Sequence, residues 1–136
     1  MQKIAIIAVM LVFGAASPAF AGAGLDCADT SAMNQSEMNA CAAQDFEIAD
    51  AELNEVWPQV KRFAASLDEG LEGGLPTSAE ALLKGQKAWL IYRDAQCDLE
   101  GYTSRGGSMV PLLVYGCKAT LTKERVRNLK SLMSGE

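Results

Sequence analysis

Histidine is missing from all 136 residues, which removes the side chain most often used for acid/base chemistry and zinc ligation near neutral pH. A cysteine nucleophile normally needs a neighbouring base, so the same absence argues against a thiol enzyme. No C-x-x-C pair occurs: Cys27, Cys41, Cys97 and Cys117 have 13, 55 and 19 residues between them, without the paired knuckles of a zinc site. No stretch alternates apolar and polar residues for long enough to compete as a strand. Twelve Lys and Arg stand against 17 Asp and Glu, a formal charge of −5, and no basic cluster offers the phosphate-binding surface that a nucleic acid requires. After the N-terminal stretch, no apolar run reaches the roughly 20 residues of a membrane span. No motif calls for a metal or an organic cofactor.

What is present begins with a leader. Lys3 gives a positive start, residues 4–13 run apolar, Gly14, Ser17 and Pro18 break the run, and Ala19-Phe20-Ala21 places small residues around a cut. That is the pattern of a secretory signal peptide over residues 1–21. Asp26 stands directly before Cys27, where a lipoprotein would carry a small or aliphatic residue, so no lipid anchor is expected after cleavage. Removal of the leader leaves 115 residues, 22–136, the size of one domain with one core. It also removes Lys3, leaving a charge of −6. The expected location is the periplasm or the external medium, where thiols oxidise. A modest negative charge keeps a small protein soluble and suits a basic partner.

Hydrophobic spacing predicts helices throughout. Phe46, Ala49, Leu53, Val56, Val60, Phe63 and Leu67 recur three and four apart, the core-facing stripe of one long helix from about residue 29 to 71. Thr30 or Ser31 can cap its start, and Pro58 predicts a kink or two helices meeting end to end. Gly70, Gly73, Gly74 and Pro76 close the segment. Thr77 or Ser78 with Glu80 then opens a second helix that runs to about Tyr102. Its inward line, Leu82, Gln86, Trp89, Arg93 and Cys97, mixes two polar side chains with an indole. Ser108 can cap a third helix, with Pro111 tolerated in the first turn and apolar contacts from Met109, Leu112, Leu113, Gly116, Leu121, Val126, Leu129 and Leu132. The expected fold class is all-α: three antiparallel helices with a long, kinked first helix, joined by glycine-rich turns and stapled by two disulfides.

Helix rise, about 1.5 Å per residue, ranks the cysteine pairings. With a turn near Gly106, Cys97 and Cys117 lie at nearly matching heights on neighbouring helices, and Cys27 to Cys41 would pin down the arm leading into the first helix. This pairing is favoured, with Cys27 to Cys97 and Cys41 to Cys117 as the rival.

Around these cysteines a family pattern appears. Gln86, Trp89, Tyr92, Arg93, Asp94 and Cys97, with Glu37-Met38-Asn39, Cys41-Ala42, Phe46, Asp50, Leu53-Asn54, Gly107-Ser108, Cys117, Thr122, Arg125 and Leu129, resemble the LprI-like family of small exported bacterial proteins. The resemblance runs from about Cys27 to Leu132. The family is named for a lipoprotein described as a lysozyme inhibitor, so the resemblance implies a non-enzymatic binding protein with lysozyme as a candidate partner.

Arg93 on a core-facing stripe must find an acid, because an unpaired buried charge costs several kcal/mol. Asp50 on the first helix, with Asn54 one turn later, can meet it across the first hairpin, and Gln86 can complete a polar layer. Asp94 is the near competitor. A satisfied network fixing helix register is favoured over a ligand site at these residues. The loop with Tyr102, Arg105 and Ser108 is a candidate contact surface between rigid helices. Three function classes follow: a lysozyme-masking protein, a periplasmic or secreted interaction module with another partner, and a hydrolase using carboxylates among Asp45, Glu47, Asp50 and Glu52. The last is disfavoured, because helical acids at that spacing usually form a solvated face.

Overall fold

The computed structural model describes residues 25–135, and the leader expected over residues 1–21 lies outside them. Three helices follow in order, α1 (Gln35–Leu67), α2 (Ser78–Tyr102) and α3 (Val110–Ser134). No strand occurs among the described residues.

α1 starts later than the sequence led us to expect. Asn34 is its N-cap: the Asn34 side chain accepts from the Glu37 amide at 3.1 Å, and the Glu37 carboxylate accepts from the Asn34 amide at 2.8 Å. This reciprocal box satisfies two amides that the helix start would otherwise leave free. Thr30 and Ser31 cap nothing. They belong to a preceding turn in which Asp29 accepts from both the amide and the hydroxyl of Ser31. α1 then runs unbroken through Pro58 as one helix of 33 residues, so the alternative of two abutting helices does not hold. Proline has no N–H to give the Asn54 carbonyl, yet burial of Val56 and Val60 on either side of it holds the segment helical.

The link to α2 is stapled by an acid. Asp68, the C-cap of α1, accepts from the Ser78 amide at 2.7 Å and the Ala79 amide at 3.0 Å. A carboxylate at a helix N-terminus is stabilised by the dipole as well as by the bonds, and these two bonds, Ala79 first, hold the Asp68 carboxyl below its usual range. Thr77 with Glu80 completes the α2 capping box. Gly70 (φ 78°) and Gly74 (φ 90°) take the left-handed conformation that the intervening turn requires.

α3 differs from expectation at its start. Met109 is the N-cap, without a side-chain bond; Ser108 does not cap. Proline at 111 has no amide to offer a Ser108 hydroxyl, and the Val110 amide is already bonded to the Gly107 carbonyl. Ser108 instead receives the Asn39 side-chain amide on its carbonyl at 2.9 Å, which ties the start of α3 to the start of α1.

The bundle goes up, down and up, so α1 and α3 are parallel. Lys123 bonds Asp45 at 2.7 Å and Lys130 bonds Glu52 at 2.6 Å, one heptad apart on each helix. α3 packs against both other helices, most extensively against α1. The core between them is Leu53, Val56, Val60, Val126 and Leu129, flanked by Trp57, Leu82, Trp89 and Met133. Three residues expected to make apolar contacts, Leu67, Met109 and Leu132, are exposed; Ala64 and Met133 join the core instead.

The disulfides follow the height argument. Cys27 is bonded to Cys41 and Cys97 to Cys117, with Cα separations of 5.6 and 5.4 Å; the rival pairing does not occur. Gly101, one turn beyond Cys97, shows how closely α2 and α3 approach there, since a Cβ on it would lie 2.6 Å from Val114 Cγ2.

Candidate functional site

The polar line of α2 meets both other helices at Arg93. Its guanidinium is nearly buried and has three kinds of neighbour: carboxylates, a hydroxyl and aromatic rings. Nε bonds Asp94 at 3.0 Å, Nη1 donates to the fully buried Thr122 hydroxyl at 3.3 Å, and Nη1 lies 3.5 Å from Asp50. The rings of Phe46 and Trp89 lie 5.1 and 5.2 Å from its central carbon, within cation–π range. The adjacent acid therefore takes the closer contact and the first-helix acid the longer one. Consecutive helical residues point apart, but a long arginine side chain can fold back far enough to reach Asp94.

Lys118 on α3 reaches the same Asp94 oxygen at 3.3 Å. Burial pushes the Asp94 carboxyl up, and the bonds and charges of Arg93 and Lys118 together outweigh it, leaving the group below its usual range. Asp94 is thus a carboxylate shared by two cations. Asp50 in turn accepts from Asn54 at 3.2 Å. Both acids have side chains nearly half exposed, so the cluster opens to solvent on its acidic side while its cation stays inside.

Gln86 does not join Arg93. Its side-chain oxygen accepts from Arg125 Nε at 2.9 Å, and burial lowers the Arg125 pKa. Arg125 also lies 5.8 Å from the Trp89 ring, so two guanidinium groups stand within cation–π range of Trp89. The four residues singled out as one polar layer thus fall into two neighbouring groups, Asp50, Asn54 and Arg93 in one and Gln86 in the other. Thr122 belongs to the family pattern, but helical spacing alone did not single it out as the Arg93 partner. Its signal is a hydroxyl on the otherwise apolar buried line of α3.

Three of the four carboxylates offered for hydrolysis are engaged elsewhere: Asp45 and Glu52 with Lys123 and Lys130, Asp50 with Arg93. The equal seven-residue spacing of both charge pairs was the readable signal for parallel α1 and α3. Among the described residues, no group of three His, Cys, Asp or Glu side chains could hold a metal ion, and no helix is long and apolar enough to cross a membrane. In the loop before α3, Arg105 lies 4.3 Å over the Tyr102 ring, and both are exposed. Ser108 is engaged through its carbonyl, as described above.

An uncharacterized protein of Rhizobium meliloti is 46% identical over 105 residues, covering 75% of this chain and 76% of that protein. YecT, an uncharacterized protein of Escherichia coli, is 27% identical over 78 residues, 54% of this chain and 48% of its own length. No solved structure matches. The family model described as lysozyme inhibitor LprI matches residues 27–129, a span that starts at the first cysteine and holds both disulfides, the Arg93 cluster and the Gln86–Arg125 pair. The chain belongs to the LprI family.

Proposed function

We propose that this chain is a small exported binding protein, without catalytic activity of its own, that inhibits lysozyme by masking it. The observation that carries this reading is the family match over residues 27–129. The physical character of the chain supports it. The formal charge is −5 over the full sequence, and an acidic surface attracts a basic enzyme and speeds encounter. Two disulfides and a helix-linking cluster around Arg93 hold that surface on a rigid frame, which reduces the ordering cost of binding. In this reading the leader over residues 1–21 delivers the protein to the periplasm or the medium, and the Tyr102–Arg105 loop belongs to the contact surface.

A lysozyme cell-wall lysis assay tests the proposal. Increasing amounts of the purified, disulfide-bonded protein should reduce lysis to a saturating low level. The Cys97→Ser and Cys117→Ser double variant should inhibit more weakly. Unchanged lysis at micromolar excess of a folded, oxidised protein contradicts the proposal.

A further inference from the structure

α2 has a second apolar line, on the side away from the core. Ile91, Tyr92, Leu99 and Tyr102 are 73%, 55%, 60% and 53% exposed, while the core line through Gln86, Arg93, Cys97 and Gly101 is buried. A helix on the surface of a monomer usually presents polar residues on that side. Here Ala88, Tyr92, Ala95, Leu99 and Tyr102 follow one another at steps of four, three, four and three, the spacing of a coiled-coil seam. Toward the helix start the seam continues through Gly85, Ala81 and Ser78.

Gly85 is the informative position. Glycine inside a helix is destabilising relative to alanine, and apart from its own helix backbone nothing among the described residues lies within 4 Å of where a Cβ would stand. Gly101 has an intramolecular reason in Val114, and Gly85 has none. A second backbone approaching from outside would supply one.

We propose that this face is the interface of a homodimer in which α2 packs antiparallel against α2 of a second copy. Residue 90 is the midpoint of α2 (Ser78–Tyr102), so antiparallel pairing with full overlap sets Tyr92 against Ala88 of the second copy, Leu99 against Ala81 and Tyr102 against Ser78. Each of these layers places a large side chain on a small one. Ala95 meets Gly85, where the two backbones come closest. Beside the seam Ile91 meets its own counterpart, and Lys84 and Asp98, each seven residues from Ile91, meet one another across the two-fold axis. Both are exposed, and neither has an ion pair among the described residues. A parallel pairing would leave both charges without an opposite partner. The self-complementary arrangement repeats every contact twice, as a two-fold interface requires. This dimer does not rest on the lysozyme reading, with whose contact loop it shares Tyr102.

Sedimentation equilibrium of the oxidised protein, from roughly 1 to 100 µM to span a weak specific association, should show twice the single-chain mass. Ile91→Asp with Leu99→Asp should weaken the dimer at least about tenfold, because Leu99 lies in the seam and Ile91 beside it where the two copies cross the two-fold axis, with unchanged far-ultraviolet circular dichroism. Lys84→Asp should weaken it about tenfold by placing like charges together, and adding Asp98→Lys should restore it. Gly85→Leu should dissociate it while the monomer stays folded. A single-chain mass at the top concentration overturns the proposal, as does a dimer indifferent to Ile91→Asp with Leu99→Asp. A monomer that loses lysozyme binding on those two substitutions assigns the face to the foreign partner and overturns the dimer.

Discussion

Arg93 is the residue on which the three helices converge. Replacing it by alanine leaves the buried Thr122 hydroxyl without its partner and removes the cation between Phe46 and Trp89. Its acids are nearly half exposed and can rehydrate, so the cost should fall below that of breaking a fully buried pair. We expect Arg93→Ala to destabilise by about 2 to 3 kcal/mol, read as a lower urea midpoint. Arg93→Lys should recover less than half of this, since an ammonium lacks the planar fork that reaches Asp94 and Thr122 together. Asp94 adds a pH dependence of known sign. Its folded pKa lies below the reference value of 3.8, so its contribution is complete above that value and is lost as pH falls through the lower folded value. Acid titration of stability should therefore be shallower below about pH 4 in Asp94→Asn than in the parent protein.

At the scale of elements, two glycines of α2 should respond to alanine with opposite signs. Gly101→Ala drives a methyl into Val114, a β-branched side chain with little room to turn, and should destabilise by about 1 to 3 kcal/mol. Gly85→Ala meets nothing among the described residues and should stabilise the monomer by about 0.5 to 1 kcal/mol; thermal unfolding at dilute concentration checks both. The bounds of α2 were readable because Thr77 and Glu80 form a reciprocal cap and Gly-Pro punctuation precedes them. The start of α1 was not, because Asp29, Thr30 and Ser31 resemble caps and form their own turn ahead of Asn34. Ser108 misled for a different reason: a cap needs free amides, and Pro111 and the Gly107–Val110 turn leave it none.

For the whole molecule, the three-helix class and both cysteine pairs followed from spacing and height. The partition of the polar side chains did not, because a repeat places a residue on a face without saying how far a flexible guanidinium bends. Arg93 took the neighbouring acid and a hydroxyl from α3, and Gln86 went to Arg125. The disulfides carry a large share of the stability of so small a core. Cys97→Ser with Cys117→Ser should cost about 3 kcal/mol for the loop that the bond closes, measured by chemical denaturation against the oxidised parent. Lysozyme binding by this stapled acidic bundle is decided by calorimetric titration of lysozyme into the oxidised protein at low and at physiological ionic strength. Saturable binding of one lysozyme per chain, weakening as salt is added, is expected. Absence of binding at both ionic strengths, with the protein folded and both disulfides formed, would contradict it.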